Sequence, residues 1–443
     1  MRGRGRGTPP VAAAGRSFAA IVQRERNALP LSDPTARLSA DGRFIALISA
    51  ARLIERDRND LHDVYVFDAE TGALSLESVG WLGQSADGDS WTVDISADGR
   101  FVVFASEAGN LTDPSLAAGT SRVFLRDRVD GTTRLLTVIA SGEPANGPSR
   151  TPAIDAAGAT VVFQSRASGF GAAGPGNGIF LASLPSGAVT RVDVAADGAA
   201  RPGESMSPAI SADGRYVAFA SRADLTCVGS SHCDEDNGVA DIYVRDTRTN
   251  TTRRISRSVA RGESNGPSYD PAISGNGRYL AFVSEATNLT GAVVRRGAQI
   301  YVHDQIDGTT TLVSRTRAGM PGNGNSLRPA ISQDGQRIAY QSLASDLLCD
   351  RKCRAGQADI NLQWDVFLHD RQTGDTIRAS RDREGDWMEY SRTPSLDATG
   401  GVVVFVTRHP VDAEDKGYDE DLVIQTTGSA GRISRLGSEK RQP

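Results

Sequence analysis

Apolar and polar residues alternate along this chain in short runs, and turn sequences interrupt them every few residues. Nowhere is the 3.6-residue period of a helix sustained. The runs come in sets. "ARLSADGRFIALIS" (36–49), "VDISADGRFVVFAS" (93–106), "PAIDAAGATVVFQS" (152–165) and "PAISADGRYVAFAS" (208–221) align with "PAISGNGRYLAFVS" (271–284), "PAISQDGQRIAYQS" (329–342) and "PSLDATGGVVVFVT" (394–407). Each is an extended segment, an Asp-Gly type turn and a second apolar segment, which is a strong hairpin signal. A third run follows after a variable loop, as in "DIYVRD" (241–246) or "DVFLHD" (365–370), and a fourth after a tight turn, as in "TTLVSR" (310–315). The turn glycines Gly42, Gly99, Gly158, Gly214, Gly277, Gly335 and Gly400 lie 57, 59, 56, 63, 58 and 65 residues apart.

Four antiparallel strands repeated seven times predict an all-β fold, a seven-bladed β-propeller, since radial repetition protects most sheet edges. The "S-x-D-G-[KR]" hairpin followed by an "[IV]-[YF]-V-x-D" strand resembles the WD40-like propeller repeats of the TolB type. That resemblance covers about residues 32–436. It implies a binding role at the cell envelope, through protein–protein contacts. Two departures are visible: seven repeats where TolB has six, and no α/β domain ahead of them.

The repeats divide the chain into a basic Gly/Arg-rich tail (1–17), a propeller (18–436) and a C-terminal tail (437–443). Blades are expected at about 32–90, 91–149, 150–205, 206–268, 269–326, 327–390 and 391–436. Eight segments read as fourth strands for seven outer positions. The expectation is that the N-terminal one, 18–23, completes the last blade and closes the ring, leaving "GRISRL" (431–436) as an extra edge. Because strands alternate direction, the tight turns share one face. The variable second-to-third loops and the interblade links share the other, where binding is expected.

Composition narrows the partners. A formal charge of −5 disfavours a general nucleic-acid binder. No run of 18 apolar residues exists, so no membrane-spanning helix is expected. Four cysteines fall as two loop-internal pairs, Cys227 with Cys233 and Cys349 with Cys353. Their C-x5-C and C-x3-C spacings suit neither zinc nor a redox motif, so two disulfides are expected. That places the mature chain in the periplasm or outside the cell, although the N-terminus reads poorly as a signal peptide.

Four loops share the spacing [DE]-x-[NDG]-x3-D, offering oxygen donors of the kind Ca²⁺ takes. They are Asp57, Asn59 and Asp63; Glu235, Asn237 and Asp241; Asp359, Asn361 and Asp365; and Asp415, Asp419 and Asp421. Asx-rich turns entering the third strand give the same pattern. Ca²⁺ is therefore the one cofactor considered, and otherwise none is expected. Of five histidines, His62, His232 and His409 lie at the loop face, whereas His303 and His369 sit inside third strands. The expectation is a monomeric, non-catalytic scaffold that binds a protein or peptide, or a glycan, through its loop face. The alternatives are a polysaccharide lyase or glycosidase using loop-face His and acidic residues, and a Ca²⁺-dependent adhesion module.

Overall fold

The computed structural model describes residues 36–427 and 433–435, apart from 113–115, 171–175, 185, 227–236, 261, 292–296, 350–361, 382–387, 389 and 409–420. Twenty-eight strands form seven sheets of four, each built from consecutive strands running from the centre outwards. The innermost strands are Ala36–Leu38, Ser90–Ile95, Ser149–Ile154, Ser205–Ile210, Ser268–Ile273, Ser326–Ile331 and Arg392–Leu396. Among the described residues there is no helix, and so none long and apolar enough to cross a membrane.

Second and third strands are covered on both faces, which is why their sequences are nearly continuous apolar runs. Aromatic residues meet directly across this pair in five blades. Phe104 stacks on Phe124 at 5.9 Å, and Phe163–Phe180, Phe219–Tyr243, Phe282–Tyr301 and Tyr340–Phe367 repeat the contact. On the inner side, Ser90 donates to Ser106 at 3.1 Å, and Ser149–Ser165, Ser205–Ser221 and Ser268–Ser284 do likewise, so these repeated serines join the two strands.

The turn glycines have two causes. In the first blade Ser39 Oγ and the Arg43 N–H both donate to Asp41 Oδ1, a local turn that needs a left-handed residue, Gly42 at φ +74°. The second cause is interblade packing. A Cβ on Gly99 would lie 2.2 Å from the Phe44 ring of the preceding blade, and one on Gly277 would lie 2.1 Å from Tyr216. Beside these turns an arginine grips the aspartate that ends the third strand: Arg43–Asp68 at 2.8 Å, Arg100–Asp127 at 2.7 Å, Arg215–Asp246 at 2.6 Å and Arg278–Asp304 at 2.7 Å.

Ring closure differs from the sequence expectation. The outer position of the seventh blade is filled by Ile433–Arg435, paired antiparallel with Asp421–Thr427, so the C-terminal copy is not a surplus edge. The segment 18–23 lies outside the described residues. At the centre, backbone hydrogen bonds run unbroken from blade to blade. Backbone N–H groups donate from Ala40 to Ala97, Ala97 to Ala156, Ala156 to Ala212, Ala212 to Gly275, Gly275 to Gln333, Gln333 to Ala398 and Ala398 back to Ala40, at 2.8–3.1 Å. Seven residues thus form a closed circle at the tight-turn face, which joins the first blade to the last.

Candidate functional site

Strand direction fixes the ends of the central channel: inner strands begin on the long-loop face and end in the tight turns. The loop-face half is a cavity of about 400 Å³. It narrows at an aliphatic ring with one residue from each blade: Leu38, Ile95, Ile154, Ile210, Ile273, Ile331 and Leu396. A smaller cavity of about 140 Å³ continues beyond, towards the circle of backbone hydrogen bonds.

The upper wall is shaped by strained backbone. Thr151, Ser207, Asp270, Arg328 and Thr393 have φ between 48° and 55°, and each precedes a proline: Pro152, Pro208, Pro271, Pro329 and Pro394. Each sits where the register between inner and second strands shifts; blade two has the same β-bulge without a left-handed residue, so five of six consecutive bulges carry one. Left-handed geometry costs about 1–3 kcal/mol for such residues and gathers where side chains must be aimed. Here it places hydroxyls, a carboxylate and a guanidinium in one ring of the channel wall. Asp270 and Arg328, from adjacent blades, approach to 3.9 Å, and Ser207 Oγ lies 3.4 Å from Asp270.

One level deeper the wall is alanine in four blades, Ala153, Ala209, Ala272 and Ala330, but Arg37 and Asp94 in the first and second. Burial pushes the Asp94 carboxyl up, and Arg37 together with the Ile154 N–H, at 2.9 Å, pulls it back. The two charged pairs therefore stand at different depths on opposite sides of the axis.

The donors expected for Ca²⁺ are placed only in part. Asp63, Asp241, Asp365 and Asp421 open the third strands of four blades and are buried. Three of them accept from a serine of their own blade: Ser78 donates to Asp63 at 2.5 Å, Ser256 to Asp241 at 2.5 Å and Ser380 to Asp365 at 2.9 Å. Asp57 accepts from the Tyr65 hydroxyl at 2.5 Å. Asn59 donates to the Ala86 carbonyl at 2.8 Å, and Asn237 to the Ser264 carbonyl at 2.6 Å. Glu235, Asp359, Asn361, Asp415 and Asp419 lie outside the described residues, as do Cys227, Cys233 and Cys353; Cys349 is buried. Among the described residues, no group of three His, Cys, Asp or Glu is arranged to hold a metal.

Of the histidines, His303 and His369 contact fourth-strand Thr310 and Thr376 at 3.0 Å, as Arg245 does Thr252, and serve the sheet. His232 and His409 lie outside the described residues. His62 stands at the loop-face rim between the first two blades. Its ring Nδ1 lies 3.0 Å from Asp89 Oδ1, its backbone N–H donates to the same oxygen at 2.9 Å, and Trp91 stacks on it at 5.4 Å. A carboxylate only accepts, so Nδ1 carries the hydrogen and the lone pair of the neutral ring sits on Nε2, which has no partner. Sequence reasoning found His62 but not Asp89, which lies 27 residues away on the next blade.

No protein-family model matches the chain, and no curated protein does. Solved propellers do. A puromycin-hydrolysing peptidase of Mycobacterium tuberculosis is similar with a TM-score of 0.53 at 16% identity, over 94% of this chain and 54% of that one. An oligogalacturonate lyase of Vibrio parahaemolyticus is similar with a TM-score of 0.51 at 11% identity, over 90% of each. TolB from Acinetobacter baumannii is similar with a TM-score of 0.39 at 14% identity, over 89% of this chain and 79% of that one. What is shared at this distance is the propeller fold, and no family model supports the narrower WD40-like TolB type. The expectation of a non-catalytic chain is overturned: propellers matching nine-tenths of this chain include a lyase and a peptidase, so the fold gives no ground for excluding catalysis.

Proposed function

We propose that this protein is a binding propeller that takes a protein or peptide partner on its long-loop face, with part of that partner entering the central channel. The observation that carries this reading is the ring of five strained, re-aimed residues at the loop-face end of the channel. Exposed apolar residues around the same face, Trp81, Leu82, Val259 and Met320 at the tips of interblade links, supply contact area of the kind partner surfaces use.

The test selects ligands from a displayed peptide library and measures them by calorimetry against two paired variants. Trp81→Ser with Leu82→Ser, on the loop face, weakens binding at least tenfold. Val129→Ser with Ile306→Ser, in exposed turns of the opposite face, leaves it unchanged. Equal loss in both pairs overturns the reading. The cysteine pairs make an exported, disulfide-clipped chain part of this proposal; peptide mapping without reductant detects Cys227 joined to Cys233 and Cys349 to Cys353. Ca²⁺ binding by the loops predicts a fall in melting temperature with chelator.

A second reading, catalysis on a polysaccharide, rests on the His62–Asp89 pair: the carboxylate holds the ring and leaves Nε2 as the proton-accepting atom, but that atom is buried, so the rim must open for a sugar to reach it. Turnover of an oligosaccharide panel that disappears in His62→Gln supports it.

A further inference from the structure

We infer that the loop-face half of the channel is a receptor for a free C-terminal carboxylate of a peptide, with the last side chain apolar. The inference rests on the proposed partner-binding face and names what enters it.

Three observations combine. First, the strained ring delivers one guanidinium to the channel wall, Arg328, whose side chain is 41% exposed. A planar guanidinium matches the two oxygens of a carboxylate. In the next blade is Thr393, itself only 8% exposed, whose hydroxyl has no partner. That unused O–H is a second donor on the blade next to Arg328. Second, Asp270 lies on the other flank of Arg328 at 3.9 Å. It accepts the backbone N–H of the same terminal residue, across the Cα from the carboxylate. The pair is electrically neutral, and it receives a terminal residue that offers one anion and one N–H donor. Third, directly below these polar groups the wall is Ala153, Ala209, Ala272 and Ala330, ending at the aliphatic ring. Small side chains leave room on that side of the channel, and the wall there is apolar, with Ser395 below Thr393 and Arg37 and Asp94 across the axis. The terminal side chain therefore packs downwards against the alanines while the rest of the peptide leaves through the mouth. A cavity of about 400 Å³ accommodates one such residue with its carboxylate.

A peptide N-terminus fits less well. Its ammonium would take Asp270 and leave Arg328 facing a neutral carbonyl, whereas the C-terminus uses both charges.

The experiment uses the full chain and a set of N-acetylated pentapeptides ending in Leu, Phe, Ser or Asp, each as free acid and as C-terminal amide, measured by calorimetry. Expected is at least tenfold tighter binding of the Leu and Phe acids than of their amides, and weaker binding of acids ending in Ser or Asp. Arg328→Asn, chosen because asparagine tolerates the left-handed backbone there, removes the acid–amide difference. Arg328→Lys keeps part of it. Ala272→Leu, which fills the wall without touching the charged ring, weakens the Phe acid most. Thermal unfolding of each variant separates lost binding from lost fold. Equal affinity of acids and amides, or no change on Arg328→Asn, overturns the inference. If peptides bind with no acid preference and still depend on Trp81 and Leu82, the partner-binding reading survives alone. If no peptide of any kind binds at millimolar concentration, both fall.

Discussion

Blades one and four carry aspartate at the same place, the first residue of the third strand, and handle its charge in opposite ways. Asp241 in blade four has Arg254 beside it, 3.8 Å from Oδ2, and the same guanidinium also reaches Asp224 and Glu263. Asp63 in blade one has Leu76 at the position of Arg254, fixed by the pairing of Tyr65 with Leu76 and of Tyr243 with Arg254. One Asp63 oxygen has no partner, and Asp57 and Asp89 add their negative fields. Burial pushes its carboxyl up to about 6. Blades five and six match the two positions in charge, while blade two, with buried Arg122 and with Leu135 at the position of Arg254, leaves a charge uncompensated as blade one does. Asp365 comes with Arg378, and Gln299 comes with Leu312, neutral with neutral. In blade three Gly178 comes with Arg191, whose guanidinium stands 3.0 Å from where a Cβ would be and pairs with Asp193 instead. Repeated blades act as internal controls: the fold accepts a buried carboxylate here, and its cation is what varies.

The comparison breaks most sharply in blade four. Arg254→Met leaves Asp241, Asp224 and Glu263 together without their cation. It should cost about 3–5 kcal/mol, read from the midpoint of guanidinium unfolding at pH 7. The next largest effect is in blade one. The folded protein holds the Asp63 proton more tightly than the unfolded chain, whose carboxyl has the ordinary value of 3.8. Between pH 3.8 and about 6 the native state therefore binds more protons, and stability falls as pH rises, by about 3 kcal/mol once pH exceeds 6. Asp63→Asn should recover most of that at pH 8 and little at pH 4; an equal gain at both would show that the charge is not the cause.

Gln299→Glu transplants the blade-one situation into blade five, where the side-chain amide now donates to the carbonyls of Gly322 and Gly324. A loss of about 2 kcal/mol at pH 8, smaller at pH 4, is expected. The smallest change should follow Leu76→Arg, which gives blade one the blade-four arrangement. The pH slope between 4 and 7 flattens, while stability at pH 7 moves by less than about 1 kcal/mol, because a buried leucine is lost as an ion pair is gained.

The repeat was legible because Asp-Gly turns and apolar runs are local. The same turn in seven copies specifies seven hairpins. The aspartates at the third-strand starts were visible too, but as metal donors. Spacing along a loop identifies an oxygen-bearing side chain without saying whether it ends in solvent or under its own sheet. The partners that decide this, Ser78 for Asp63 and Ser256 for Asp241, sit 15 residues away, just past the end of the fourth strand. The channel ring was present in the sequence as a residue before proline in five copies, and proline inside a strand is itself a bulge signal. Which side chains that bulge turns inward depends on how neighbouring blades meet around the axis. His62 and Asp89 belong to different blades, so nothing in either repeat pairs them.

The circle of seven peptide hydrogen bonds has no first or last member. Blade seven meets blade one through the same N–H to C=O contact that joins blades already linked by chain, and each blade keeps all four of its strands. The seam between the ends of the sequence is then one of seven equivalent joints. A circularly permuted gene, cut in an interblade link such as that between Val259 and Gly262 and rejoined across the old seam, should encode the same ring.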